Sequence, residues 1–409
     1  MSNAAEKARY FLEKSTPQLH SLKTLGIFTD EEIKTLVSTR SEHEHIVLSS
    51  GSSPSQWLSY IDWDVSLENL RLRRCRKLHV HNSSSHVGEA RIFKTFERAV
   101  ERHPASLELW ERYLDFAEEK TSAAGRKWNT VWNRAVRLHS RNAGLWIRGA
   151  MKMAEHGDMN KARERFMYGC RNCVGGGKDG GEAAKVWTQY AKAELEWLAR
   201  TEKKLKLGKY SVDHVEGDYM DLGGGGDNDS DSDKEDEDDE DEDELAPPTR
   251  EQRTAIQEAA SKELAKSSAL EGAIPRAVFD VARKQDFFSP RVAMMFWDAF
   301  SKVKEASRRI SILHHVLAAM EKSYPCSPET AFCRIRMPLV GVKGVVSWGN
   351  GLKEVLRRLG AAFKDTGDAD ALANLVCPWL DSLISHEGQE PFDTVLQQTR
   401  NRISSSLEN

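Results

Sequence analysis

Cys170-Arg-Asn-Cys173 is the closest cysteine pair in a chain of 409 residues, and C-x-x-C is the spacing used by zinc sites and dithiol redox centres. Structural zinc needs four ligands, and no second pair stands at a matching interval; a redox dithiol needs a strand before it, and none is indicated. The glycine-rich stretch VGGGKDGG at 174–181 sets Lys178 among glycines, as phosphate-binding loops do. Its spacing is not G-x-x-x-x-G-K-[ST], and Asp179 occupies the place of the magnesium-binding hydroxyl. Asp227, Asp229, Asp231 and Asp233 alternate like the start of a calcium loop, but Ser232 replaces its glycine and Asp238 stands where a glutamate should close the shell. The pairs His43/His45, His79/His81 and His314/His315 have no carboxylate or thiolate set at ligand spacing, and no G-x-S-x-G nucleophile appears. No catalytic, cofactor-binding or metal-ligating residue is assigned. The chain reads as non-enzymatic, with no cofactor and no small-molecule substrate.

Charge is the stronger signal. The chain carries −4, yet residues 227–244, DNDSDSDKEDEDDEDEDE, hold 14 acids and one lysine, so −13 sits there and +9 is left for the rest. Arg71, Arg73, Arg74, Arg76 and Lys77 crowd into RLRRCRKLH, a candidate contact for RNA phosphates or an acidic partner. On one helix these cations point in several directions, so part of them is expected to be plain solvated charge. Ser230 and Ser232 each have an acid three residues on, Asp233 and Glu235, the context that acid-directed kinases favour, and are candidate phosphorylation sites. The six cysteines, Cys75, Cys170, Cys173, Cys326, Cys333 and Cys377, are too sparse for a disulfide framework and are expected as reduced thiols. MSNAAEKARYFLEKS holds no apolar segment of signal-peptide length, and no apolar run of about 18 residues occurs. A soluble intracellular protein without membrane contact is expected.

The elements that would carry these residues are helices. LELWERYLDFAEE, 107–119, puts Leu109, Trp110, Tyr113, Leu114 and Ala117 on one face. The same helix recurs as Trp57 with Tyr60, Trp187 with Tyr190 and Trp297 with Phe300, while Trp146 has Gly149 in the second place. An acid follows each tryptophan after seven to nine residues: Asp64, Glu118, Glu155, Glu194 and Glu305. Steps of 36 and 41 residues from Trp110 to Trp146 to Trp187 are the period of helical-hairpin repeats. A second helix type alternates with the first, with stripes Ile92, Phe93, Phe96, Ala99, Val100 and Trp128, Val131, Trp132, Ala135, Val136. A weaker copy runs through Ala162, Phe166, Gly169 and Cys170. Ala99, Ala135 and Gly169 recur at 36 and 34, where small residues let crossing helices approach. Ser53-Pro54, Ser289-Pro290 and Ser327-Pro328 supply caps, and Gln56 completes a capping box with Ser53.

These registers predict an all-α fold, an α-solenoid of antiparallel helix pairs interrupted by a disordered acidic insertion. The step from Trp187 to Trp297 is 110 residues and contains GGGG at 223–226, the acidic run and APP at 246–248, all of which resist packing. AIPRAVFDVARK then reads as a second-type helix arriving late. The organisation expected is an N-terminal helical segment at 1–52, repeats at 53–200, the insertion at 201–250, continued repeats at 251–325 and a C-terminal helical cap at 326–409.

The W-x-x-Y helix with its trailing acid, paired with helices of the FERAV and WNRAV type, resembles the half-a-tetratricopeptide (HAT) repeat over residues 53–200 and 275–325. The segment before it, through Tyr10, Leu12, Glu13, Gly26, Phe28, Thr29, Glu32, Ile33 and Arg40, is similar to a HAT-repeat family of the small-subunit processome. His43, where an aromatic is expected, and the long acidic insertion depart from that pattern. The resemblance implies a nucleolar, non-catalytic scaffold of the U3-containing particle that docks partners during pre-18S rRNA processing. Implied partners are the WD-repeat propeller proteins of the UTP-B subcomplex, with pre-rRNA and U3 snoRNA met directly or through them. The residues alone reach a helical-repeat scaffold. They leave open a direct RNA-binding module working through the basic helix, and a HAT scaffold of mRNA splicing or 3′-end processing. Deleting residues 223–246 is expected to leave the thermal transition followed by circular dichroism nearly unchanged; a large drop would show that the insertion is packed.

Overall fold

Helix boundaries follow the capping residues. In a computed structural model, the structure describes residues 2–80, 85–120, 125–174, 181–206, 271–342, 345–384 and 390–407. Among these it holds sixteen α-helices and no strand, so the protein is all-α. Helix α1 (Ser2–Thr24) ends at Gly26, whose φ of +66° is open to glycine and lets the chain reverse. The reversal buries Ile27 and Phe28, after which Thr29 caps α2 (Asp30–Leu48) in a capping box with Glu32. Ser53 and Gln56 form the same box at the start of α3 (Pro54–Lys77).

The chain divides into two units, Met1–Ser140 and Arg141–Asn409. The first contains α1 to α3, then α4 (Ser85–Arg102), α5 (Leu107–Lys120) and α6 (Arg126–Leu138), each packed on the next. Its core is the pair of stripes read from the sequence. Trp57, Tyr60, Trp110 and Tyr113 are buried from one helix type; Ile92, Phe96, Ala99, Trp128, Trp132 and Ala135 are buried from the other. Where α4 meets α5, Phe96 lies on Tyr113 with ring centroids 4.9 Å apart and planes within 4°.

The second unit contains α7 (Ala143–Glu155), α8 (Met159–Asn172), α9 (Gly181–Lys206), α10 (Ala273–Ala282), α11 (Pro290–Lys302) and α12 (Arg309–Ser323). A C-terminal group follows: α13 (Pro328–Arg336), α14 (Val345–Asp365), α15 (Ala369–Ile384) and α16 (Glu390–Leu407). Helices pack on their second neighbours as well as their first, α7 on α9, α9 on α11, α11 on α13, and α13 on α15, which is the contact pattern of stacked hairpins. Trp297 and Phe300 are buried with Phe279, Phe296 and Ile312 in one core, while Phe332, Leu352, Leu372 and Leu396 belong to another formed by the C-terminal helices. The serine caps at 289 and 327 stand at the starts of α11 and α13. No helix among the described residues is long and apolar enough to cross a membrane.

Three expectations change. Helix α9 runs to Lys206, six residues past the limit at 200, because Leu198, Ala199 and Thr201 are buried and Leu205 still packs against the core. It contacts α7, α8, α10 and α11, and α10 therefore packs on α9 from across residues 207–270, which lie outside the described residues. Wrapped on several sides, α9 buries more than one face, and its Trp187 and Tyr190 are half-buried rather than enclosed. The acid after each tryptophan is two different features. Asp64 and Glu194, seven residues on, are within about 20° of the tryptophan's face and are buried. Glu118, Glu155 and Glu305, eight or nine residues on, have rotated off that face and are exposed.

Trp146 and Gly169 are both buried where α7 crosses α8, and α9 closes over them. A Cβ on Gly169 would stand 2.9 Å from Trp146 Cβ and 3.1 Å from Val186 Cγ1. Helix propensity alone would make Gly169→Ala stabilising by about 1 kcal/mol. The neighbours are a Cβ fixed to backbone and a stiff β-branched side chain, so the overlap decides the sign. Gly169→Ala is expected to destabilise by about 1–3 kcal/mol in urea unfolding.

Candidate functional site

The residues singled out for chemistry do not converge. Cys170 is half-buried and Cys173 buried, neither is in a disulfide, and burial pushes both up, Cys173 to about 11. That shift disfavours the thiolate, and among the described residues no group of three or more His, Cys, Asp or Glu stands together as a metal site. His315 sits 3.1 Å from both carboxylate oxygens of Asp280, as one member of a surface pair. Residues 175–180, the acidic run, and Ser230 and Ser232 lie outside the described residues.

The basic helix is split by its surroundings. Arg71 is 3 % exposed and faces inward, its Nε and Nη2 donating to the two oxygens of Glu68 at 2.9 and 2.6 Å. Gly88 on α4 makes this possible, since a Cβ there would overlap the Glu68 carboxylate. Arg74 clamps Glu32 with two bonds of 2.8 and 2.7 Å, donates to the Ile27 carbonyl, and lies 4.7 Å from the Phe28 ring. Hydrogen bonds from Arg74 and the Thr29 backbone hold the Glu32 carboxyl down to about 2. Arg71 and Arg74 are therefore structural and cannot meet a phosphate while these pairs persist. Arg73, Arg76 and Lys77 remain exposed.

The densest chemistry lies between α1, α2, α3 and α4. Asp64, fully buried, takes Arg91 through two bonds of 3.3 and 3.1 Å and has Arg40 Nη2 at 3.5 Å. Glu44, one turn along α2 from Arg40, accepts from Arg98 at 2.9 and 2.7 Å and from the Tyr60 hydroxyl at 2.9 Å. Burial, and then the Asp64 and Glu44 charges, push the Tyr60 phenol well above its ordinary range. Arg98 is also sandwiched by rings, 3.8 Å from the centre of Phe11 and 5.3 Å from that of Trp57. Above the network opens a cleft of about 620 Å³ whose walls include Phe11 and Pro17 of α1, Arg40 of α2, and Val87, Arg91 and Lys94 of α4.

Glu44, Arg91 and Arg98 were not picked out by sequence. One signal was there: Glu44 follows His43 as Glu97 follows Phe96. His43 stacks on Tyr60 at 5.1 Å and 11°, the geometry of Phe96 on Tyr113, so the imidazole fills the aromatic slot. In both copies the tyrosine hydroxyl donates to the glutamate and a cation closes the site, Arg98 on Glu44 and Lys127 on Glu97.

Asp64→Asn keeps the shape but leaves Arg40 buried beside Arg91 without its ion-pair partner. A loss of about 3–5 kcal/mol in chemical unfolding is expected. Asp62→Asn, which breaks a half-exposed pair with Arg112, is expected to cost under about 1 kcal/mol in the same measurement.

Helices α1 to α4 and the cleft coincide with a known family. The model for U3 small nucleolar RNA-associated protein 6 matches residues 12–95. The Schizosaccharomyces pombe protein of that name is 28 % identical over 148 residues, 35 % of this chain and 30 % of that protein. The human homolog is 25 % identical over 226 residues and the mouse homolog 22 % over 228, each covering 53 % of this chain and 36 % of the relative. The chain thus spans about a third of the length of the curated relatives it matches. Most of the network that fixes α2, α3 and α4 falls inside residues 12–95, with Arg98 just beyond, and over that segment the chain is similar to the U3 small nucleolar RNA-associated protein 6 family.

Proposed function

We propose that this protein is a nucleolar, non-catalytic scaffold of the U3 snoRNP-containing small-subunit processome. In this reading its helix pairs dock partner proteins during pre-18S rRNA processing and small ribosomal subunit biogenesis. The carrying observation is the family match over residues 12–95. Three properties of the fold support it: most of the buried charged side chains around that segment, Asp64, Glu44, Arg91 and Arg98 among them, are engaged in internal pairs, the helices stack as hairpins, and such stacks offer extended faces to other proteins. The WD-repeat propeller proteins of the UTP-B subcomplex are the proposed direct partners, with pre-rRNA and U3 snoRNA reached mainly through them. A direct RNA contact keeps one favourable observation, the exposed trio Arg73, Arg76 and Lys77 at the end of α3. The loss of Arg71 and Arg74 to internal pairs weakens it.

Purifying the tagged protein from its own cells, with and without RNase and at moderate and high salt, separates the readings. Phosphate contacts weaken steeply with ionic strength, whereas an apolar protein interface does not. U3 snoRNA and processome proteins are expected in the untreated sample, with propeller proteins persisting through RNase and high salt. Loss of all partners on either treatment would replace the scaffold with RNA binding, and recovery of splicing or 3′-end factors would overturn the assignment to the processome.

A further inference from the structure

The cleft between α1, α2 and α4 has a charge imbalance that its own carboxylates do not cancel. Four cations, Arg40, Arg91, Arg98 and Lys94, face two acids, Asp64 and Glu44. Lys94 is exposed and pairs with no carboxylate among the described residues. Arg40 is the sharper anomaly. It is 3 % exposed, its one ion pair is the 3.5 Å approach to Asp64, and its Nε and Nη1 have no hydrogen-bond partner in the protein. A buried guanidinium with two idle donors is costly, and proteins satisfy nearly all such groups. Desolvation and the neighbouring Arg91 both act against its charge. An added anion would relieve all of these together.

The walls indicate what brings that anion. They are apolar at Phe11, Pro17, Val87 and Ala90, and Val87 is 45 % exposed among the described residues. A nucleic acid strand would need cations free to follow successive phosphates and open ring faces for bases. Here three of the four cations are already engaged, and the Phe11 face is covered by Arg98. An aliphatic or aromatic side chain flanked by carboxylates fits both the apolar wall and the excess positive charge, and the volume suits a few side chains of a peptide.

We propose that this cleft receives an acidic, apolar-anchored segment of a partner protein, one side chain packing on Phe11 and Val87 while its carboxylates meet Lys94 and offset the buried charge of Arg40 beneath the cleft. The proposal deepens the scaffold reading by giving it a docking site and a partner chemistry.

The test uses the full chain in its native particle, with a photo-crosslinking amino acid in place of Val87, followed by sequencing of whatever is attached. The expected product is a protein segment rich in Asp or Glu with at least one large apolar residue. A synthetic peptide of that segment is expected to bind the purified full chain about tenfold more weakly after Lys94→Glu. Lys284→Glu, the same reversal at an exposed position in the other unit, is expected to change nothing. Both positions are on the surface, so neither variant should unfold the protein. A crosslink to RNA, to a segment without acids, or to nothing would overturn the proposal, as would equal peptide binding by the Lys94→Glu protein. U3 snoRNA in the same particle with no crosslink at the cleft would sink this inference alone. An acidic segment crosslinked in a particle without U3 snoRNA would sink the processome reading alone.

Discussion

A carboxylate held between helices must be neutralised where it lies, and the N-terminal unit meets that requirement twice with the same parts, at buried Glu44 and at half-buried Glu97. A ring from one helix stacks on the tyrosine of the next, the residue after the ring is a glutamate, and the tyrosine hydroxyl reaches it. The stack brings apolar faces together at about 5 Å, and the glutamate fixes the tyrosine's rotation about its own axis. A third helix must then supply the cation, Arg98 from α4 in one copy and Lys127 from α6 in the other. In each copy the third helix, α4 or α6, is thereby tied to the pair before it, and α4 belongs to both copies, which is what makes this row of helices cohere. In the second unit Phe166 and Tyr190 stack at 5.1 Å and 17°, but Met167 follows the ring. The cation there, Arg163, instead holds Glu194 through bonds of 2.7 and 3.0 Å.

This arrangement changes the meaning of the chain's positive charge. An excess of nine outside the acidic run suggests a basic surface. Arg40, Arg71, Arg91 and Arg98 are nonetheless turned inward against Asp64, Glu68 and Glu44, and all but Arg71, whose partner Glu68 is on its own helix, act as struts between helices. Arginine suits that use because its planar fork matches a carboxylate and its flat face lies on rings, as Arg98 does between Phe11 and Trp57. Counting charges therefore overstates the surface available to phosphates.

What was legible in the sequence was local. The face of α5 through Trp110, Tyr113 and Ala117 was readable because burial and helical period coincide there. The serine caps were readable because a cap and its proline are adjacent. The pairs Asp64 with Arg91 and Glu44 with Arg98 join residues 27 and 54 apart, and no periodicity connects an acid on one helix with a cation on another. Even Glu68 and Arg71, one turn apart, could not be placed from spacing, because the same i, i+3 pair is ordinary on a solvated face. It is the missing side chain of Gly88, on a different helix, that turns this pair inward. The trailing acids make the same point by angle: a shift of one residue, from seven to eight, separates a buried strut from a solvated charge.

A network that tightly satisfied leaves little freedom for its members to serve a second purpose, and so its exceptions are informative. Arg98 has two carboxylate bonds and two ring contacts; Arg71 has both forks filled. Arg40, as buried as Arg71, has one 3.5 Å carboxylate approach and the Trp63 ring 5.6 Å away. Packing alone would favour an apolar side chain at such a position, since replacing a poorly paired buried ion by a hydrophobe of similar volume is commonly neutral or stabilising. An arginine retained there beside an open, partly apolar cleft makes physical sense as one half of a contact whose other half arrives from outside.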